Sequence, residues 1–285
     1  EPLLEEARRI ARQAPDFAPA RAFLGKILLF HGHVQEALAE FEASLALNPD
    51  QPAVHLAAGT IALKLNQLDQ ARQHYAQAVR LDPANSQYRL HLAQSCLRQN
   101  HDDEARRVLE EALRLDASLH AAHAMLAGLD AKQNQVQQAL EQIKRAIDLV
   151  PAQDLNTRVA YVRQRAALLC RINQPEVALA VLRELPPAKQ WDPGVMEDLA
   201  RCWDLMGHPE RAAAHYELAV RLDPTNDLAA LASARWYLEA GQPQDARRMA
   251  EALRRINPRC PDLPELLSRL EQMEKQAAAS REEQR

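Results

Sequence analysis

The sequence predicts an all-α solenoid, a stack of helix–turn–helix pairs. Three observations predict it. The 285 residues include only 7 Gly against 17 Pro. Ala and Leu fill about a third of the chain, a mix that favours helix over Gly-dependent hairpins. Next, Ala37, Ala71, Ala105, Ala139, Ala178, Ala212 and Ala246 recur at spacings of 34, 34, 34, 39, 34 and 34 residues. Finally, the apolar residues between these markers keep helical spacing.

Each repeat is built from the same elements in the same order. Its first helix holds a small residue, namely Gly25, Gly59, Ala93, Ala127, Ala166, Ala200 or Ala234. That helix ends on Gly32, Asn66, Asn100, Asn134, Asn173, Gly207 or Gly241, five residues before each marker Ala. Gly and Asn are the residues that best tolerate the left-handed conformation closing a helix. The second helix follows at once. Pro175, Pro209 and Pro243 stand at its start, where a missing N–H costs nothing. Its inner face carries the marker Ala, then Phe41, Tyr75, Leu109, Ile143, Leu182, Tyr216 or Ala250 four residues on. A Pro step such as Asn48-Pro49, Asp82-Pro83 or Asp223-Pro224 stops it. Seven units are expected, at 18–51, 52–85, 86–119, 120–153, 154–192, 193–226 and 227–260. One helix pair cannot bury its apolar face alone, but a stack makes a continuous core.

The ends and one insertion depart from this rhythm. Residues 1–17 read as the second helix of a truncated preceding repeat, with Leu3, Ala7, Ile10 and Pro15 in the expected slots. That leaves an apolar N-terminal face, which implies a longer native protein or self-association through that face. Residues 261–285 read as a capping helix and tail. Asp262 is its expected cap, and Leu263, Leu266, Leu267, Leu270 and Met273 line one side. In the fifth unit, five extra residues sit at 151–158. With Asp154 as a cap, they lengthen the next helix. Pro186-Pro187 then cuts the second helix short and leaves a loop to Asp192 that carries Trp191, either a change of pitch or a partner anchor.

Composition excludes several functions. GxGxxG and GxxxxGK[ST] loops are absent. Net charge is −4, and aromatics are 4% of residues. Neither suits a nucleic-acid platform. No apolar run approaches the length of a membrane span, so no membrane insertion is expected. Neither His31 and His33 nor His120 and His123 has a convergent carboxylate or Cys motif. Glu110-Glu111 and Asp102-Asp103 are sequence neighbours that point apart on a helix. No catalytic, metal or cofactor site is therefore expected. Cys96, Cys170, Cys202 and Cys260 form no CxxC pair and read as reduced, packed thiols. They lean slightly toward a cytoplasmic location and leave the periplasm open.

These slots resemble the tetratricopeptide repeat family over nearly the whole chain. Ala58, Arg165 and Ser233 depart from its large apolar slot, and its usual first-helix Trp is missing. The resemblance implies a right-handed α-α superhelix whose first helices line a concave, partner-binding groove, and hence a non-catalytic scaffold. It places Lys26, Phe30, Lys64, Arg98, Lys132, Arg163, Arg171, Arg201 and Arg235 in that groove, beside apolar residues such as Leu29, Leu56, Leu63, Leu90 and Leu97. Eight cations then face only Glu197, Asp204 and Glu239, which favours an acidic protein or peptide partner. A competing account covers Lys64, Arg98, Lys132 and Arg171. They lie in last helical turns, where a cation complements the helix dipole. The groove slots hold no Asn, so the family's carboxylate clamp is not carried over. A second reading makes the chain the substrate-recognition or regulatory arm of a larger enzyme, such as a glycosyltransferase.

Overall fold

A computed structural model describes the backbone of residues 2–283 and the side chains of residues 2–275. The polar tail beyond Lys275, expected to fray, has side chains outside the described residues. The described chain is helical throughout. Its helices are α1 (Pro2–Gln13), α2 (Ala18–Phe30), α3 (Val34–Leu47), α4 (Pro52–Lys64), α5 (Leu68–Leu81), α6 (Ser86–Arg98), α7 (Asp102–Leu115), α8 (His120–Lys132), α9 (Val136–Leu149), α10 (Leu155–Arg171), α11 (Pro175–Arg183), α12 (Pro187–Gln190), α13 (Pro193–Leu205), α14 (Pro209–Leu222), α15 (Asp227–Glu239), α16 (Pro243–Ile256) and α17 (Leu263–Glu283). Two compact units divide the chain, Glu1–Gln133 and Asn134–Arg285.

The turns follow from single residues. Asn66, Asn100, Asn134 and Asn173 have φ between 57° and 61°, and Gly32, Gly207 and Gly241 have φ between 71° and 82°. All seven occupy the expected left-handed position between the helices of a pair. Asp154 caps α10 by accepting from Thr157 N, and α10 runs to 17 residues where other first helices have 13. Asp262 behaves differently. Its carboxylate takes Arg235 Nη2 at 2.9 Å rather than serving α17 alone.

Close packing within a pair depends on the small slot, and the first two pairs depend on it most. A Cβ on Gly25 would lie 2.9 Å from Phe41 Cε1, and one on Gly59 would lie 2.8 Å from Tyr75 Cε1. Both rings are fully buried. Where the facing residue is Leu109 or Leu182, Ala93 or Ala166 fills the slot. Gly therefore stands where the buried neighbour is an aromatic ring. Ala200 faces Tyr216, which is only half-buried.

In the first unit, α1 lays Leu4, Ala7 and Ala11 into the core with α2 and α4 residues such as Leu24, Leu28 and Ile61. Leu3 is 52% exposed, and Ile10 is only half-buried. The expected face of Leu3, Ala7 and Ile10 is thus buried only at Ala7. The slots of Leu4 and Ala11 face the next pair. Departures elsewhere are satisfied locally: buried Ser233 donates to Ala229 O at 2.8 Å, and Ala58 is fully buried.

Several acidic residues of the second helices are bridged. Glu36 meets Arg8, Glu40 meets Arg21, and Glu104 meets Arg72 in the first unit. In the second, Glu217 meets Arg221 and Arg248. On α17, Leu263, Leu266 and Leu270 are buried, with Leu267 and Met273 packed beside them. No helix among the described residues is long and apolar enough to cross a membrane.

Candidate functional site

First helices of consecutive pairs touch each other directly: α4 on α6 in the first unit, and α10 on α13 and α15 on α17 in the second. Within each unit, second helices instead pack on their own first helix and on the next one, as α5 does on α4 and α6 and α14 does on α13 and α15. First helices thus form the inner layer of each unit, where a groove is expected.

In the first unit, half-buried Leu29 of α2 packs on one core cluster, and Leu56, Leu63, Leu90 and Leu97 of α4 and α6 pack on the next. They form an apolar floor open on one side. Lys26, Lys64 and Arg98 stand exposed beside it. Among the described residues these three have no ion-pair partner. Phe30, at the end of α2, is 82% exposed and makes an edge contact with His31. Phe23, one helical stripe back on α2, is also exposed.

The remaining expected groove cations are placed differently. Lys132 Nζ lies 2.5 Å from Asp102 Oδ2. In the second unit, Arg163 Nε donates to buried Asp198 at 2.6 Å, and Arg201 reaches Glu197 and Asp198. Arg235 holds Asp262, and Arg171 Nη2 donates to Asn134 Oδ1 at 3.4 Å. Burial pushes the Asp198 carboxyl above its ordinary range, and Arg163 and Arg201 offset only part of that. Counting groove slots missed these neutralising groups. Asp198 and Asp102 lie just outside those slots, and Asp262 lies on the next helix. A search for opposite charges about one repeat apart would have found them.

Two polar clusters were also not foreseen. His55 and His74 meet through their Nδ1 atoms at 3.1 Å, and His55 Nε2 lies 3.1 Å from Pro49 O. The carbonyl can only accept, so His55 carries its proton on Nε2. Its Nδ1 then accepts from Nδ1–H of His74. Burial and the neighbouring His55 push His74 down to about 4. In the second unit, buried Glu217 accepts from Tyr237 and from Arg221 at 2.6 Å and Arg248 at 3.0 Å. Trp191 is 61% exposed. It follows α12, a short helix that stands where a loop was expected, anchored by Gln190 Nε2, which donates to Leu185 O at 2.7 Å, and by Lys189 Nζ on Asn156 at 2.6 Å. Gly194 lies directly under the Arg163 guanidinium.

Sequence models of the tetratricopeptide repeat match residues 24–86, 56–120, 90–154 and 205–270. The chain belongs to the tetratricopeptide repeat family. Among solved structures, pilF of Pseudomonas aeruginosa aligns with a TM-score of 0.63 at 16% identity, over 76% of this chain and 96% of its own. A tetratricopeptide repeat protein from Parabacteroides merdae aligns at 0.68 and 14% identity, over 89% and 98%. YrrB, a tetratricopeptide repeat protein with an unusual peptide-binding site, aligns at 0.51 and 15% identity, over 68% and 97%. At these identities the likeness is one of fold. No curated protein sequence matches the chain. The tetratricopeptide repeat is a scaffold for protein–protein interaction, and these proteins bind protein or peptide partners.

Proposed function

We propose that this tetratricopeptide repeat chain is a non-catalytic scaffold that holds an acidic, partly apolar segment of another protein against α2, α4 and α6. One observation carries the reading. Lys26, Lys64 and Arg98 are exposed without ion-pair partners beside a leucine floor, whereas Lys132, Arg163, Arg201 and Arg235 are each committed to carboxylates of the chain itself. A carboxylate bound beside the leucine floor would meet three cations that have no ion-pair partner among the described residues. Leu29, Leu56, Leu63, Leu90 and Leu97 would take apolar side chains, and Phe30 would supply an aromatic edge. The helix-dipole account covers Lys64 and Arg98 but not Lys26, which sits a turn earlier.

The test is a display library of short acidic peptides with interspersed apolar residues, selected on the intact chain. Fluorescence polarisation then reads affinity. The K26E/K64E/R98E variant should lose at least about tenfold in affinity with unchanged far-UV circular dichroism. R235E, which breaks a pair in the second unit, should leave affinity within about twofold. Equal affinity of the triple variant and the parent would refute this groove assignment.

A further inference from the structure

We propose that Cys170 and Cys202 form a redox-responsive dithiol that closes to an intramolecular disulfide under peroxide, tying α10 to α13 on the inner layer of the second unit. The two residues are 32 positions apart, and their Sγ atoms lie 3.7 Å apart as free thiols. Both sit on first helices that already touch. Forming the bond needs the sulfurs to close to about 2.05 Å.

The two thiols are unequal in the way such a pair requires. Cys170 is half-buried and open to a small oxidant, whereas Cys202 is fully buried behind it. The hydrogen bond from Cys202 and the charge of Arg201 hold Cys170 below the ordinary thiol range against its burial. The same hydrogen bond, with burial, pushes Cys202 far up. Cys170 is thus the nucleophile and Cys202 the resolving thiol. Cys96 offers a contrast. Fully buried, it is pushed up to about 11, chiefly by that burial. Cys260 is buried too.

The chemistry balances with hydrogen peroxide as the oxidant. The Cys170 thiolate attacks one peroxide oxygen, the O–O bond breaks, and the departing hydroxide takes a proton to become water. Cys170 is left as a sulfenic acid. The Cys202 sulfur then attacks the Cys170 sulfur. The S–O bond breaks, and the departing hydroxide leaves as water with the Cys202 proton. Two thiols lose two electrons, and peroxide is reduced to two waters.

Cys170 lies on α10 and Cys202 on α13, so the bond would fix two first helices against each other and remove the more accessible of the two thiols. The site does not depend on what binds the first unit, and its test uses no partner. The reduced, intact chain is exposed to graded hydrogen peroxide, quenched with iodoacetamide, and analysed by intact mass and peptide mapping. The expected product is two hydrogens lighter, with a dithiothreitol-reversible link between the Cys170 and Cys202 peptides. Cys96 and Cys260 should remain alkylatable, reacting about tenfold more slowly or less. In Cys202→Ser, dimedone should label Cys170. In Cys170→Ser, Cys202 should stay reduced. The proposal is overturned if all four thiols oxidise at similar rates, if Cys170 proceeds to sulfinic acid with Cys202 present, or if the oxidised product is a dimer linked through Cys170.

Discussion

Replacing Gly59 with Ala tests whether the glycines of the small slot are there for the rings that face them. A Cβ at residue 59 would stand 2.8, 2.9 and 3.2 Å from Cε1, Cδ1 and Cζ of Tyr75. Carbon atoms prefer about 3.5–4.0 Å, so the ring must withdraw by roughly 0.7 Å. Tyr75 is fully buried, stacked on His91 at 5.5 Å and hydrogen-bonded through its hydroxyl to Thr60 at 3.3 Å. It has little room to give. Overpacking of this kind costs about 1–3 kcal/mol. Alanine's better helix propensity returns about 1 kcal/mol. Gly59→Ala should therefore destabilise by about 0–2 kcal/mol. In a Tyr75→Leu background the clash is gone, and the Ala93–Leu109 pairing shows that this combination packs with both residues fully buried. There Gly59→Ala should stabilise by about 1 kcal/mol, so the double-mutant cycle should show a coupling of about 2 kcal/mol. Urea unfolding followed by circular dichroism gives the four stabilities, and hydrogen exchange over α4 and α5 localises the change. If the substitution moves the midpoint equally in both backgrounds, the ring contact is not why glycine stands there.

Other expectations concern titration and turns. His74 is held neutral well below its ordinary 6.5, so the unfolded chain takes up its proton first as pH falls. Stability should drop between pH 6.5 and about 4, and His74→Gln should flatten that part of a urea-midpoint profile. Glu217 is raised by burial, but hydrogen bonds from Tyr237 and Arg221 and the charge of Arg248 outweigh this and hold it below 4.5. Its stabilisation is present above pH 4.5 and is lost as pH falls through the lower folded value. Glu217→Ala should cost about 1–3 kcal/mol at neutral pH by thermal unfolding, because the Tyr237 hydroxyl and two guanidinium groups lose their acceptor. Exposed Asn100, at φ 60°, should accept Gly with little change. Asn100→Val should cost about 1–2 kcal/mol in the same assay.

The turns were legible because each depends on one residue and its own backbone. Gly or Asn five positions before every marker Ala needed no partner to be interpreted, and all seven took positive φ. The small slot was only half legible. Its occupants could be read from the repeat, but the reason for Gly over Ala lies in the ring across the pair. Slot chemistry also misled at the ends. Leu3 and Ile10 had the right spacing for a core face, yet burial depends on which side the following helices cover, and the buried residues are Leu4, Ala7 and Ala11. Asp262 had the position of a cap, but the Arg235 guanidinium on α15 offered its carboxylate a charged partner.

What composition could not show follows a rule of its own. Contacts between consecutive repeats join residues close to one period apart: Asp69 and Gln99 by 30 positions, Arg72 and Glu104 by 32, Arg163 and Asp198 by 35, and Cys170 and Cys202 by 32. A stack of 34-residue units brings such pairs together, because equivalent positions of consecutive repeats lie side by side with a shift of only a few residues. Net charge summed over a list of slots is blind to that geometry. It counted Arg163, Arg201 and Arg235 as available cations when each had a carboxylate roughly one layer away or one turn along its own helix. Of the expected groove cations, Lys26, Lys64 and Arg98 have no ion-pair partner among the described residues. For repeat chains of this kind, opposite charges and paired cysteines one period apart are therefore the signal that separates groups built into the stack from groups left open for a partner.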